Sequence, residues 1–327
     1  MGCTRLVARQ AALGGMCPDG FQIPRSITTL IVQKDGRPLR AARDELRHIS
    51  SIRNACSVFG LYAQTGVLLG AALWSPWTWP VVFLLMGRAH AQFASLMHEA
   101  AHRLLFKNRH ANDFVGRWFL GYPAFTSTDA YRRVHMAHHR EEFGPDEPDI
   151  ALYANYPVSK ASFRRKLSRD ATGRTGLKLL RGQLTGLFRG SQLVRRTQWK
   201  IWLLQIALAT SAALFGVWWL YPLFWLLPFL TVWRVINRLR SVAEHGGMRA
   251  SKDRRITTHS VRQGPIARFF LVPYNIGFHL AHHVDSGIPF RNLPRYHAAL
   301  WEAKYVDSQL EYPTYRSLWK ALRQGIV

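Results

Sequence analysis

The apolar residues of this chain are gathered into two pairs of long blocks, separated by charged segments. The first block, residues 57–74, reads SVFGLYAQTGVLLGAALW and contains no charged side chain. The other three blocks cover residues 77–97, 201–220 and 222–238. Each block is close to the roughly 20 residues that an α-helix needs to cross about 30 Å of hydrocarbon. The pattern predicts an all-α integral membrane protein with two transmembrane helical hairpins, or about four spans.

Positive charge is distributed unequally around these blocks. The turns within the pairs, Ser75-Pro76 and Tyr221-Pro222, carry no charge, whereas the other flanks are rich in Lys and Arg. Because basic loops stay in the cytoplasm, we expect both termini and the long polar segments to face the cytoplasm. Aromatic residues crowd the turn ends, as in an aromatic belt. The alternative is two buried helical hairpins of a soluble protein, against which the block lengths argue.

The composition adds a strong positive charge. The 44 Lys and Arg residues outnumber the 19 acids and give a net charge of +25. No nucleic-acid-binding motif accompanies this charge, so we expect a membrane rather than a nucleic acid as the acidic partner. Residues 1–54 form a predicted basic N-terminal arm. The basic segment Val158–Lys200 is either a solvated loop or a surface for anionic headgroups or an acidic electron carrier.

Eight of the fourteen histidines lie in three short boxes. HEAAH contains His98 and His102, HMAHH covers residues 135–139, and HLAHH covers residues 279–283. On a helix, positions i, i+3 and i+4 share one face, so each box directs its imidazoles toward one point. Imidazole is the commonest metal-binding side chain, so the boxes predict a metal site assembled from distant segments.

HEAAH on its own also fits the HExxH pattern of zinc proteases, with Glu99 as general base. A zinc protease needs about three protein ligands and would leave both HxxHH boxes without a role. Eight or more histidines suffice for two metals, and two irons with open positions can activate O2, whereas zinc has no redox chemistry. Since HEAAH directly follows the second apolar block, all three boxes can meet just outside the bilayer.

The order HEAAH…HMAHH…HLAHH resembles the membrane fatty acid desaturase family, which includes related acyl and alkane hydroxylases and carotenoid ketolases and hydroxylases. The match extends to Tyr131-Arg132 before the second box and to Asp146-Glu147-Pro148-Asp149 after it. It also includes RSVAEHG around His245 and NIGF before the third box. The resemblance implies that residues 55–327 form a desaturase-like catalytic domain, whose cytoplasmic helical cap holds a di-iron site.

The resemblance also implies the cofactors and their ligands. Two Fe ions would be bound, with O2 as co-substrate, by His98, His102, His135, His138, His139, His245, His279, His282 and His283. Side chains that accept the second N–H of a ligand imidazole fix its tautomer, and the candidates are Glu99, Asp149, Glu244 and Asn275. Asp149 is equally compatible with a helix N-cap. For His90, within an apolar block, we expect a hydrogen bond in helix packing.

The implied activity is that of an O2-dependent oxidoreductase acting on an unactivated C–H bond of a long-chain lipid. We favour fatty acyl desaturation. The alternative on the same fold is a hydroxylase or ketolase of an acyl, alkane or carotenoid chain, and a membrane zinc protease is the remote alternative. No cytochrome b5 haem segment of the HPGG type is fused to the chain, so we expect a separate electron donor of the ferredoxin, rubredoxin or cytochrome b5 type.

Overall fold

Helices form most of the chain, as the sequence predicts. The computed structural model describes residues 23, 25–144, 147 and 149–324. Its first eight α-helices are α1 Arg40–Leu46, α2 Ser51–Trp74, α3 Trp79–Ala101, α4 Arg109–Val115, α5 Thr128–Arg140, α6 Ile150–Tyr153, α7 Lys160–Ala171 and α8 Arg174–Phe188. The next eight are α9 Gln192–Leu214, α10 Leu227–Leu230, α11 Val232–His245, α12 Arg254–Thr257, α13 Pro265–Phe270, α14 His279–Val284, α15 Leu293–Glu302 and α16 Tyr315–Leu322.

Short elements complete the secondary structure. Strands β1 Ser260–Val261 and β2 Glu311–Tyr312 pair in parallel. Single-turn 3₁₀ segments lie at Pro76–Thr78 and Pro273–Asn275, and π-helical segments at Gly116–Gly121 and Tyr221–Leu226. Residues 1–22 of the predicted arm, and Asp146 and Pro148 after the second histidine box, lie outside the described residues.

The chain divides into two compact units. The first, which we call the histidine unit, comprises Met1–Ile49, Arg133–Phe163 and Arg238–Val327. The second, which we call the apolar unit, comprises Ser50–Arg132 and Arg164–Asn237. Each unit is therefore assembled from segments that are far apart in the sequence.

Helix α3 is the central element of the apolar unit. All of its residues from Met86 to Ala101 are buried except Ala94. A helix that is buried around its whole circumference needs neighbours on every side. One of these is the start of α11, where a Cβ atom built on Gly87 would lie 2.3 Å from the Cβ atom of Val232. Glycine is therefore required for this close approach.

Helix α2 buries only a narrow stripe of its surface. The stripe repeats at alternating intervals of four and three residues, as expected for one face of a helix, and consists of Asn54, Val58, Leu61, Thr65, Leu68 and Ala72. The other faces expose large apolar side chains, among them Phe59 and Val67, which are 75% and 71% exposed. Among the described residues, one helical segment, Arg40–Trp74, has the length and composition needed to cross a membrane.

The second predicted hairpin turns earlier than the sequence pattern suggested. Helix α9 ends at Leu214, and Gly216 just beyond it has a φ of +74°. Glycine at this position ends helices because it adopts the left-handed conformation without strain. The predicted turn at Tyr221-Pro222 instead lies within a π-helical segment. The predicted boundaries 201–220 and 222–238 are therefore displaced from the observed helices.

Residues 25–49 of the N-terminal arm pack within the histidine unit. The side chains of Val32 and Leu46 are buried, and the hydroxyl of Tyr296 donates a hydrogen bond to the carbonyl of Gly36 at 2.7 Å. The Arg47 guanidinium binds both carboxylate oxygens of Asp285, at 2.7 and 2.9 Å from Nη2. These contacts attach the arm to the residue that follows α14.

The contact at Gly87 predicts a specific sensitivity of the apolar unit. Gly87→Ala would force the new methyl group into Val232 and should destabilise the protein by about 1–3 kcal/mol through overpacking. Gly70→Ala, on the exposed side of α2 where a Cβ meets no atom within 4 Å, is the matched control. Thermal unfolding in detergent should show a lower Tm for Gly87→Ala only. Equal Tm values for both variants would contradict this packing.

Candidate metal centre

Seven of the nine predicted ligands lie together in the histidine unit. Helices α5 and α14 each present three histidines with the spacing i, i+3 and i+4, and a seventh histidine ends α11. This spacing directs each set to one helix face. All seven side chains are buried: His135, His138, His139, His245, His279, His282 and His283.

Three of these side chains form one group, which we call cluster A. The Nε2 atom of His139 lies 3.1 Å from that of His135 and 3.0 Å from that of His282. Two nitrogen ligands that are each about 2.1 Å from one metal ion, at right angles, lie about 3.0 Å apart. The spacing in cluster A therefore fits a shared metal ion.

The other four form a second group, cluster B. The Nε2 atom of His279 lies 3.0 Å from that of His245 and 3.0 Å from that of His283. One ring nitrogen each from His138, His245 and His283 lie within 4.8 Å of one another. Cluster B therefore has the donors for a second metal ion.

The two clusters are adjacent. The imidazole of His139 in cluster A stacks on that of His283 in cluster B, with ring centroids 4.3 Å apart. His138 and His139 are neighbours in sequence and belong to different clusters, so one turn of α5 supplies both. The histidine nitrogens of this unit can therefore bind two metal ions side by side.

Two buried carboxylates hold imidazoles of cluster B by their second nitrogen. The Nδ1 atom of His138 pairs with Glu147, which also accepts a hydrogen bond from the Tyr153 hydroxyl. The Nδ1 atom of His283 pairs with Glu142. A carboxylate at Nδ1 fixes the tautomer and leaves Nε2 as the metal-binding atom.

The remaining two imidazoles of cluster B have other groups near Nδ1. His245 donates from Nδ1 to the carbonyl of Thr257 at 2.8 Å. The Nδ1 atom of His279 lies 3.6 Å from Oε1 of Glu244, which itself binds Arg240. The structure thus places Glu244, a predicted partner of a ligand histidine, beside His279.

Glu142 links the two clusters to the surrounding protein. Arg254 pairs with the Glu142 carboxylate and also donates to the backbone carbonyl of His139 at 2.8 Å. Burial raises the pKa of Glu142, while the positive charge of Arg254 opposes this rise. Because Arg254 binds both residues, it fixes the end of α5 relative to cluster B.

Glu142 and Glu147 are not among the site residues predicted from the sequence. The sequence spacing could have indicated Glu142 as a site residue. It follows His138 by four residues and His139 by three, and so lies near the same helix face. The contact with His283, 141 residues away, cannot be read from that spacing. Glu147 is recognisable only as part of the acidic segment after the second box.

Two further predicted partners have other surroundings. Asp149 occupies the N-cap position of α6 without a capping hydrogen bond from its side chain. Burial raises its pKa, and His138 opposes this effect. The amide nitrogen of Asn275 donates to the carbonyl of Phe290 at 3.2 Å, and its φ of +58° is a left-handed conformation that Asn tolerates well.

The first histidine box lies in the apolar unit. His98 is buried in the last turn of α3, and its ring centroid is 4.6 Å from that of His102. Oε1 of Glu99 lies 3.8 Å from Nδ1 of His98. Burial, assisted by Arg132, lowers the pKa of His102 to about 3. His102 is therefore neutral at physiological pH.

His90 has the packing role expected for it. Its Nε2 atom makes a hydrogen bond of 3.0 Å with the carbonyl oxygen of Trp225. Its ring also contacts the side chains of Trp225 and Phe229, with centroids 4.8 and 5.3 Å away.

Electrostatics favour the metal-binding form of cluster B. Burial lowers the pKa of His245, His279 and His283 well below the usual value, and neighbouring imidazoles lower it further. These groups therefore stay neutral at physiological pH. Neutral imidazole is the form that binds metal ions.

Comparison with known proteins identifies relatives of the chain. A family model described as "Fatty acid desaturase" matches residues 36–316. The chain is also 28% identical over 232 residues to dihydrorhizobitoxine desaturase of Bradyrhizobium elkanii, an alignment that covers 65% of each chain. The chain thus spans somewhat less than two thirds of that relative's length.

The carboxylate at Nδ1 of His283 predicts a measurable effect on metal affinity. Glu142→Gln keeps the shape of the side chain but removes the charge that orients the imidazole, and metal affinity should fall by about 10- to 100-fold. Glu141→Gln, at an exposed neighbouring position, is the control and should leave affinity unchanged. Metal titration of the purified apoprotein measures both. Equal affinities would exclude Glu142 as an orienting group.

Proposed function

The chain belongs to the fatty acid desaturase family, and we propose on that basis that it is an O2-dependent di-iron oxidoreductase of long-chain lipids that desaturates a fatty acyl group. The pair of adjacent histidine clusters in the histidine unit is the observation that carries this proposal. A single-metal hydrolase would need one such cluster, whereas two fit a two-metal oxidase. The name of the aligned relative, itself a desaturase, supports desaturation over hydroxylation.

The proposal assigns the metal ligands as follows. One iron would be held by cluster A and the other by cluster B. His98 and His102 belong to the ligand set on the strength of the family's box order, in which this pair is the first box. Two irons with open coordination positions supply the activation of O2 and the removal of hydrogen from an unactivated C–H bond.

The protein's own residues prepare the centre for that chemistry. Glu142, Glu147 and the carbonyl of Thr257 accept hydrogen bonds from the Nδ1–H groups of three imidazoles, which leaves each Nε2 lone pair for a metal ion. Glu244 would serve His279 in the same way. We also assign Glu99 to His98, and keep Asp149 and Asn275 as candidates for positioning roles.

We propose that four spans anchor the enzyme in the membrane, with the centre and both termini in the cytoplasm. Large apolar side chains are exposed on each of the predicted spans: Phe59, Val67, Val81, Leu84, Leu203, Ile206, Leu223 and Leu227. Proteins in water rarely expose apolar patches of this extent, whereas lipid contact accounts for them. The unequal distribution of Lys and Arg sets the orientation.

The substrate and the electron donor follow from the same assignment. The substrate would be an acyl or other long hydrocarbon chain reached from the bilayer. Electrons would come from a separate carrier of the ferredoxin, rubredoxin or cytochrome b5 type. The basic segment Val158–Lys200 is a candidate surface for an acidic carrier, because opposite charges accelerate docking.

Metal analysis tests the centre. The full chain purified in detergent should hold about two irons, and His138→Ala should lose at least the iron of cluster B. His110→Ala, which removes an exposed histidine, is the matched control and should retain both. About one zinc per chain without iron would overturn the proposal in favour of the zinc protease alternative.

Product analysis tests the reaction. Lipids from cells that express the wild type should contain acyl chains with a new double bond, and these should be absent with His138→Ala. Gas chromatography with mass spectrometry distinguishes an alkene, two hydrogens lighter, from an alcohol, one oxygen heavier. A hydroxylated product would replace desaturation by the hydroxylase alternative on the same metal centre.

A further inference from the structure

A cavity of about 340 Å³ in the apolar unit combines apolar walls with four polar side chains, those of Thr126, Gln183, Gln198 and Arg234. It lies between α8, the beginning of α9 and the segment that contains Phe229 and Arg234. Its volume falls within the range of small-molecule sites in proteins. None of the predicted metal ligands lines this cavity, so its polar groups require a separate explanation.

Arg234 brings a positive charge into this cavity. Its guanidinium lies 4.2 Å from the ring centroid of Phe229. Its Nε atom is buried without a hydrogen-bond partner among the described residues, and Asp170 acts on it only at longer range. A half-buried guanidinium whose buried Nε–H lacks a hydrogen-bond partner is costly. An anionic oxygen in the cavity would remove that cost.

Two amide oxygens that line the same cavity lack hydrogen-bond donors. Gln183 donates from Nε2 to the carbonyl of Phe125 at 2.7 Å, which fixes the orientation of its amide. Its Oε1 atom, like that of Gln198, is buried and lacks a donor within the described part of the chain. A buried acceptor without a donor destabilises the protein. The cavity therefore suits a ligand that carries N–H or O–H groups as well as an anion.

An apolar cavity of about 740 Å³ lies close to this polar one within the apolar unit. Trp225 lines the apolar cavity and Phe229, one helical turn later, lines the polar one. The rings of both contact His90, so a single layer of aromatic side chains joins the two linings. A hydrocarbon chain would match the apolar walls of the larger cavity.

We propose that the polar cavity binds the head group of a glycerophospholipid. The phosphate would pair with Arg234, and the hydroxyl or ammonium group of the head would donate to Gln183 and Gln198. Arg234 lies near the cytoplasmic end of the fourth proposed span, which is the depth of lipid head groups. This placement rests on the proposed function only through its membrane topology, since head-group binding needs neither iron nor O2.

Binding of a short-chain phospholipid tests the assignment directly. Dioctanoyl phosphatidylglycerol is titrated into the purified full chain in a nonionic detergent and followed by calorimetry. Arg234→Gln should raise Kd by about 10- to 100-fold, as expected for the loss of a charge-assisted hydrogen bond. Arg234→Lys should restore part of the affinity, and Gln183→Leu should weaken binding without a change of charge.

The controls separate charge, fold and ligand source. Arg181→Gln removes a positive charge from an exposed position of α8 and should bind like the wild type. Circular dichroism checks that each variant is folded. Unchanged Kd for Arg234→Gln, or equal binding of dioctanoylglycerol, which has no phosphate, would overturn the proposal. Equal binding of glycerol 3-phosphate would reassign the cavity to a soluble phosphate ester.

Iron content and desaturase activity are measured on the same preparations. Head-group binding that depends on Arg234 in a protein without iron would overturn the proposed function and leave the lipid site intact. If the protein holds two irons and desaturates lipid, but Arg234→Gln leaves the Kd for the phospholipid unchanged, the lipid site is overturned and the proposed function stands. The two failures are therefore distinguishable.

Discussion

The hydrogen bonds to Nδ1 of the buried imidazoles are the contacts on which the metal centre depends. An unsupported imidazole could rotate or present either nitrogen, and a buried one without partners would destabilise the fold. In cluster B every ring has a polar group at Nδ1, from Glu142, Glu147 or the Thr257 carbonyl, or 3.6 Å away from Glu244. The rings of His138, His245 and His283 are thus fixed at Nδ1, which leaves Nε2 of each for a metal ion.

These contacts also connect the segments of the histidine unit. Glu142 follows α5 but holds His283 of α14, and Glu244 on α11 lies beside His279 of α14. Arg254, beyond α11, binds Glu142 and the carbonyl of His139. The groups that orient the ligands are therefore also the groups that join the helices, so the site and the packing of this unit depend on each other.

Two arginines in the apolar unit have different surroundings. Arg88, buried on α3, donates to the amide oxygens of Gln64 and Gln92 at 2.8 and 2.9 Å. Its charge is thus stabilised by neighbouring side chains. The guanidinium of Arg234 instead lies beside the Phe229 ring, and its Nε atom has no hydrogen-bond partner among the described residues. This contrast within one unit is what distinguishes a structural arginine from one suited to a ligand.

The sequence by itself determined the helical class, the histidine boxes and the face that each box presents. These features depend on local periodicity, because residues three and four apart share a helix face whatever the rest of the chain does. The seven clustered histidines, including His245, were predicted from the boxes and the family segment around them. Gly216 also carried a local signal for the end of α9, which block length alone did not reveal.

Only the tertiary structure decided which carboxylate serves which imidazole and how the imidazoles divide into two clusters. The partner of His283 is Glu142, and no periodicity connects residues 141 positions apart. His139 meets His282 of α14, whereas His138 lies beside His283 of α14 and His245 at the end of α11, and this division is a property of helix packing. The cavity at Arg234 likewise exists only where α8, α9 and the Phe229 segment meet. Local sequence therefore determines which side chains share a helix face, and long-range packing determines which of them come together in space.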